Sequence, residues 1–338
     1  MGARAGLARR HPPIRRRQAL MAAGKRHVAF REASIDLTVL AANVARFREL
    51  TDGAPLLVDV GADAWGHGLE VVVPALTELG AQAFVVARLD EAERVRALAS
   101  ETLVVTTQHS ADEDFRRAAA LGVAPRVHSL GEYERAADGG VTGVVLAEED
   151  GDGLPGLAPA ELDDALADAA QRGIAAVVDS AFPVVGAELF GVSEDSADLA
   201  PDFRPVLRLW APIAATKRVG ADEGVSYGYT YRTRTQTTLA LVTLGYADGL
   251  TRAGGNRVDA SVDGARHTIA GRVAMDAFML DLGDVDAPAL GTEATVLGDA
   301  RRGEPTAHQH AQALGTHSAE ITTRLSSRPR RHPAGEER

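Results

Sequence analysis

Val58-Asp59-Val60-Gly61-Ala62-Asp63-Ala64-Trp65-Gly66-His67-Gly68 runs from the end of an apolar, β-branched segment into a turn punctuated by glycine. Residues 55–60 read as a strand, Gly66 and Gly68 close it, and 69–79 place apolar residues at helical spacing, so the stretch is one βα unit. Working outward, the same rhythm recurs. Strands are expected at 83–87, 102–106, 126–128, 143–146 and 174–178, and helices at 37–50, 90–98, 111–121, 130–137 and 159–171. Such alternation gives a parallel sheet or a (β/α) barrel, whose active site lies at the strand ends, where residue 61 stands. A complete barrel takes ~250 residues. Residues 31–200 supply fewer, so an incomplete or compressed barrel is expected.

From about Val206 the texture changes to dense β-branched alternation, with Val225 to Tyr231 and Leu239 to Leu244 as examples. Asp263-Gly264 between 258–262 and 266–269 is a two-residue hairpin signal. The expected organisation is a basic tail at 1–27, a barrel domain at 28–205, a β domain at 206–332 and a short tail at 333–338. The first tail holds eight Arg or Lys between Arg4 and Arg26 and no acid. It reads as a disordered tail or an over-long start, with Met21 as the better beginning.

The chain has no cysteine, which removes disulfides and a thiol nucleophile and fits a reducing cytoplasm. Its formal net charge of −11 opposes general nucleic-acid binding. No apolar run reaches the length of a membrane span. A soluble, cytoplasmic protein is expected, without nucleic-acid or membrane partners.

The opening stretch resembles the pyridoxal-phosphate attachment site of alanine racemases, matching at Ala62, Ala64, Gly66, His67 and Gly68. Gly224-Val225-Ser226-Tyr227-Gly228, Leu244-Gly245-Tyr246-Ala247-Asp248-Gly249 and Gly271-Arg272-Val273-Ala274-Met275-Asp276 are similar, in order, to signatures of that family's C-terminal domain. The resemblance implies an N-terminal (β/α) barrel followed by a C-terminal β domain, that is, α/β plus all-β, in a head-to-tail homodimer. It also implies that Tyr227 is an acid/base phenol lent to the partner's barrel, that Tyr246 and the Met275-Asp276 pair line the substrate entrance and hold the carboxylate of a small amino acid, and that Asp276 is, with Tyr227, a residual catalytic candidate.

Other family positions differ. Gly61 stands where the Schiff-base lysine would be and Trp65 replaces a tyrosine. Glu149-Asp150-Gly151-Asp152-Gly153-Leu154-Pro155-Gly156 puts Leu154 at a substrate-steering arginine, amid acids that repel a carboxylate. Phe182-Pro183-Val184-Val185-Gly186 puts Val184 at the arginine that meets the pyridine nitrogen, and Ser327 replaces a phosphate-contacting tyrosine. Several tens of residues of the family pattern are missing between Val178 and Phe182, where Ser180 is a candidate remnant of the phosphate cup. The two lysines, Lys25 and Lys217, lie in the tail and on the inter-domain strand.

The pattern Gly151-x-Gly153-x-x-Gly156 fails as a dinucleotide fingerprint because acids surround it and no helix follows at once. His308, His310 and His317 lack zincin spacing and read as a polar helix face, so no metal is expected. His67 reads as a hydrogen-bonded turn histidine, and Tyr227 either as a residual functional group or as an interface phenol. The expectation is therefore a pseudoenzyme: no bound cofactor, no pyridoxal-phosphate racemisation, and a non-catalytic binding or regulatory role, with pairing to a true racemase subunit as one form. The alternative is an active alanine racemase, or a cofactor-independent isomerase built on Tyr227.

Overall fold

The computed structural model describes residues 30–149, 153–181, 183–192 and 203–335. The basic tail, the acidic stretch 150–152 and Phe182 lie outside them. The first strand, β1 (Glu32–Ile35), belongs to the C-terminal half. It pairs antiparallel with the long strand at 207–219 and parallel with Arg330–Pro333. The chain thus threads the β domain first, a pairing across some of the longest separations in the chain.

The barrel domain then follows the expected rhythm. Helix α1 (Leu37–Leu50) starts where the Asp36 carboxylate caps the amides of Thr38 and Val39. Strands β2 (Leu57–Asp59), β3 (Ala83–Val86), β4 (Leu103–Thr106), β5 (Val123–Val127), β6 (Gly143–Leu146) and β7 (Ala175–Val178) form one parallel sheet in that order. Helices at Leu69–Glu78, Leu89–Leu98, Phe115–Leu121, Leu130–Asp138 and Pro159–Arg172 return the chain between strands. Val85, Val105, Ala124 and Val145 form a small buried cluster inside the curve of the sheet, apart from the main core on its outer side.

The barrel is incomplete, as its length implied. β2 is flanked on its open side by a single parallel bridge, Val58 to Val185. β7 has no second neighbour among the described residues, and its Val177 is 40% exposed. The short link from β7 to Val185 stands where the family resemblance places a further βα unit.

In the β domain, β8 (Leu207–Val219) is the spine. It pairs with β1, with Glu293–Leu297 and with Thr237–Val242. Asp259–Val262 and Ala265–Thr268 form the expected hairpin, with Asp263 and Gly264 both at positive φ, 49° and 81°, the backbone that a type I′ turn requires. One difference stands out. The alternating run 225–231 is not a single strand, because a turn at Tyr227–Tyr229 separates the pair Gly224–Val225 from Tyr231–Arg232.

Candidate active site

β2 delivers Asp59 to the barrel mouth, and the Gly61 amide donates to its carboxylate at 2.8 Å. The next four residues, Ala62, Asp63, Ala64 and Trp65, all have φ between 51° and 59°. This is a left-handed turn made without glycine, a conformation costing roughly 1–2 kcal/mol per residue. The surroundings hold it in place. Glu91 accepts from the Ala62 amide (3.0 Å), Arg94 pairs with Asp63 (2.9 Å), and the Trp65 indole donates to the Asp59 carbonyl (3.0 Å). Arg331 donates to the Gly66 carbonyl at 2.9 Å. Gly66 itself, at φ 84°, leaves no room for a side chain, since a Cβ would lie 2.0 Å from the Thr322 carbonyl. Overdetermined strain of this kind gathers at functional sites.

Gly61 is different, because it does not have a positive φ and a Cβ there meets only the Asp59 carboxylate, at 3.1 Å. It opens on a recess shared with Asp59, Trp65, Val86, Thr107 and Gln108. Burial raises the pKa of Asp59; the bond from Gly61 works against this and the nearby Glu91 and Glu188 reinforce it. The recess therefore gathers carboxylates.

Deeper in the curve lies a cation that sequence reasoning did not single out. Arg126, on the same face of β5 as Ala124, pairs with Asp179 at 2.6 Å and reaches His128 Nε2 at 2.8 Å. The chain of bonds continues, since Glu132 accepts from the His128 amide (2.8 Å) and meets His109 Nδ1 (2.9 Å), whose Nε2 meets the Thr106 hydroxyl (2.9 Å). Burial alone would raise the Glu132 pKa, but the bonds from His109 and His128 prevail and lower it to about 2. These partners are spread over four elements, so no local motif announces them.

The C-terminal loops make a second, coherent patch. The amides of Tyr246 and Ala247 donate to the carbonyls of Ala274 and Met275, both at 3.0 Å. Gly245 permits this approach, since a Cβ there would lie 2.4 Å from either of those carbonyls. Asp248, wholly buried, pairs with Arg31 at 2.9 Å and Arg328 at 3.3 Å, and both guanidiniums also reach Asp276, Arg328 at 2.5 Å. Met275 and Tyr246 lie exposed above this knot, and Tyr227 is 73% exposed on its own turn. Ser226 donates to the Arg272 carbonyl (2.6 Å), and the Arg272 guanidinium lies 3.4 Å from a Cβ built on Gly228, so its charge rests against the Tyr227 turn.

The remaining candidates scatter. Leu154, Val184, Ser180 and Ser327 are all exposed. Lys217, the one lysine among the described residues, lies exposed on β8. His67 is fully buried, with Nδ1 2.9 Å from the Ala64 carbonyl. His310 is buried against the Asp259 carbonyl rather than on a polar face (2.9 Å), and no group of three metal-ligating side chains occurs among the described residues. No helix among them is long and apolar enough to cross a membrane.

Two family models match the chain, the alanine racemase N-terminal domain over 35–179 and the C-terminal domain over 206–333. The alanine racemase of Streptomyces coelicolor is 35% identical over 371 aligned positions that take in 88% of this chain and 94% of the relative. That of Thermobifida fusca is 32% identical, covering 89% and 97%. The solved alanine racemase of Streptomyces lavendulae superposes with a TM-score of 0.77 at 30% identity, over 89% of this chain and 96% of that one.

These relatives correct two expectations. Gly61, Leu154, Val184, Ser327 and the segment missing after Val178 led to the expectation of a non-catalytic binding or regulatory paralogue. The proteins that this chain resembles over nearly its whole length are named racemases, and they support an ordinary alanine racemase instead. The expectation of no cofactor falls with it, because both domains match the alanine racemase family models and the relatives over most of the chain are alanine racemases; one solved alanine racemase of like fold, from Bartonella henselae, is described with covalently bound pyridoxal phosphate (TM-score 0.74, 20% identity). The side chains at this mouth nevertheless do not fit a lysine-bound form of that group, since residue 61 is glycine and the recess is lined by Asp59 with Glu91 and Glu188 nearby. By sequence over both domains and by fold, the chain belongs to the alanine racemase family.

Proposed function

We propose that the chain serves the racemisation of a small amino acid of the alanine class, with Tyr227 as the side chain that moves the proton. One observation carries the reading: Tyr246 and Met275 lie exposed on loops tied by Asp248, Arg31 and Arg328, and the exposed Tyr227 turn is joined to the same 272–276 segment by the bond from Ser226 to the Arg272 carbonyl. Buried ion pairs of this kind cost desolvation and hold geometry. Here they fix Met275 and Asp276 relative to Tyr246, while Arg272 lays a positive charge against the Tyr227 turn. An exposed phenol with no acceptor among the described residues suits a homodimer in which Tyr227 enters the partner's barrel mouth.

One experiment tests this reading. The purified chain is incubated in heavy water with L-alanine and added pyridoxal phosphate, and α-proton exchange and D-alanine are followed, with Tyr227→Phe as control. Exchange by the chain, lost in Tyr227→Phe, supports the proposal. No exchange, or exchange that Tyr227→Phe leaves intact, overturns it.

A further inference from the structure

The inner face of the parallel sheet is almost wholly apolar. Its register sets Asp59 beside Val85, Val85 beside Val105 and Val105 beside Ala124, and then Arg126 beside Val145 and Val145 beside Val177. Successive side chains alternate between the two faces. Two charged residues therefore occupy the strand positions of this face, Asp59 on β2 and Arg126 on β5, and their signs are opposite.

Both groups can be reached. Asp59 is half-buried and lines the recess at Gly61, where its Oδ1 lies 3.1 Å from the place of a residue-61 Cβ. Oδ1 accepts from the Gly61 amide, whereas Oδ2 has no hydrogen bond and no basic partner among the described residues and is not sealed from solvent. The Arg126 side chain is 31% exposed. Of the five donors that a guanidinium carries, Nε and one on Nη2 go to Asp179, at 3.2 Å and 2.6 Å, and one on Nη1 goes to His128. One donor on each terminal nitrogen is left over. Asp179, itself held by the Glu148 amide at 3.1 Å, keeps the guanidinium in place.

One step past the paired Thr106 and Pro125, Arg126 comes level with Thr107, which lines the same recess as Asp59. The two charges thus stand over one mouth, on strands three spacings apart, about 14 Å along the sheet and less across its curve. Opposite charges fixed across an apolar floor suit the two ends of a zwitterion, and charge-assisted bonds are the strong ones. Leu154, at the position where the resemblance places a substrate-steering arginine, is exposed and uncharged. Arg126 is the basic side chain that the strands bring to the mouth. We propose that Asp59 and Arg126 hold a small α-amino acid between them, its ammonium on Asp59 Oδ2, its carboxylate on the terminal nitrogens of Arg126, and its side chain over Val85, Val105 and Val145. The choice of a small amino acid rests on the reading above. The two contacts do not, and they are read as binding, without turnover.

The test is calorimetric binding at neutral pH of L-alanine to the full chain, beside two probes that each lack one charge, L-alaninamide and propionate. L-alanine is expected to bind saturably and more tightly than either probe. Asp59→Asn keeps an oxygen for the Gly61 amide, Arg126→Gln keeps a donor, and a cooperative urea transition checks that each variant is folded. Each should weaken L-alanine at least about tenfold. The probes separate contact from distortion, since Asp59→Asn should leave propionate unchanged and Arg126→Gln should leave L-alaninamide unchanged. No binding of L-alanine, parental binding by either folded variant, or equal weakening of both probes by one variant overturns the proposal. The two proposals also fail separately. Binding with these dependences but without heavy-water exchange removes only the racemisation reading, and exchange that neither variant alters removes only this one.

Discussion

Gly61 is the residue at which sequence and chemistry disagree most, and its geometry makes the disagreement testable. Nothing in the backbone demands glycine there, and an added Cβ meets only the Asp59 carboxylate, at 3.1 Å, the end of a side chain that can turn aside. A lysine introduced at 61 would project into the recess beside Asp59, with Glu91 and Glu188 in the neighbourhood, where carboxylates favour an ammonium. Gly61→Lys is therefore expected to fold with a stability change within about 1 kcal/mol. It should also become labelled at that position when pyridoxal phosphate and borohydride are added, as read by mass spectrometry of the digested protein. Folded but unlabelled protein would mean that the recess does not admit the cofactor. Gly66 is the opposite case, a glycine that the fold requires, and the sequence does not distinguish the two.

The turn that follows Gly61 is an element in its own right, and its handedness was invisible in its letters. Ala62-Asp63-Ala64-Trp65 has no residue that favours positive φ strongly, yet all four adopt it. Ala62→Gly removes a Cβ from a left-handed position and is expected to stabilise the protein by about 1 kcal/mol, raising the urea midpoint at unchanged slope. A lower midpoint would show that the Ala62 methyl does more than tolerate the turn. The parallel strands and their helices were legible because each follows from local periodicity, and α1 matches the expected bounds at both ends. The run 225–231 was not, because the turn at Tyr227–Tyr229 hides inside an alternating pattern. Nor was the bond chain of Arg126, Asp179, His128, Glu132, His109 and Thr106, whose members come from separate elements. Glu132→Gln should lower stability at neutral pH by an amount on the order of 2 kcal/mol, since it keeps the shape but loses a carboxylate held far below its ordinary range. An unchanged unfolding midpoint would show that the chain of bonds contributes nothing net.

At the scale of the whole molecule, the barrel and the β domain each bury an imidazole that resists protonation, and this fixes how the protein meets acid. The pairing of β1 with β8 and with Arg330–Pro333 joins the two chain ends across one sheet, a link for which the sequence carried no local signal. His67 in the barrel domain and His310 in the β domain are both pushed by burial to about 4 from an ordinary 6.5. In the unfolded chain each takes up a proton as pH falls through about 6.5, which the folded chain refuses until about 4. Stability is thus flat above about 6.5 on their account and falls between about 6.5 and 4, by about 3 kcal/mol for each histidine. Glu132 has the carboxylate sign: its folded value of about 2 lies below the ordinary 4.5, so its contribution persists above about 4.5 and is lost only between there and about 2. Urea titrations at stepped pH should therefore show a first loss belonging to the histidines and a second, more acidic one belonging to Glu132. His310→Gln should about halve the slope of the first window and leave the second in place. A stability that stays level from about pH 6.5 to 4, or a first loss insensitive to His310→Gln, would mean that the two imidazoles are not held neutral by the fold.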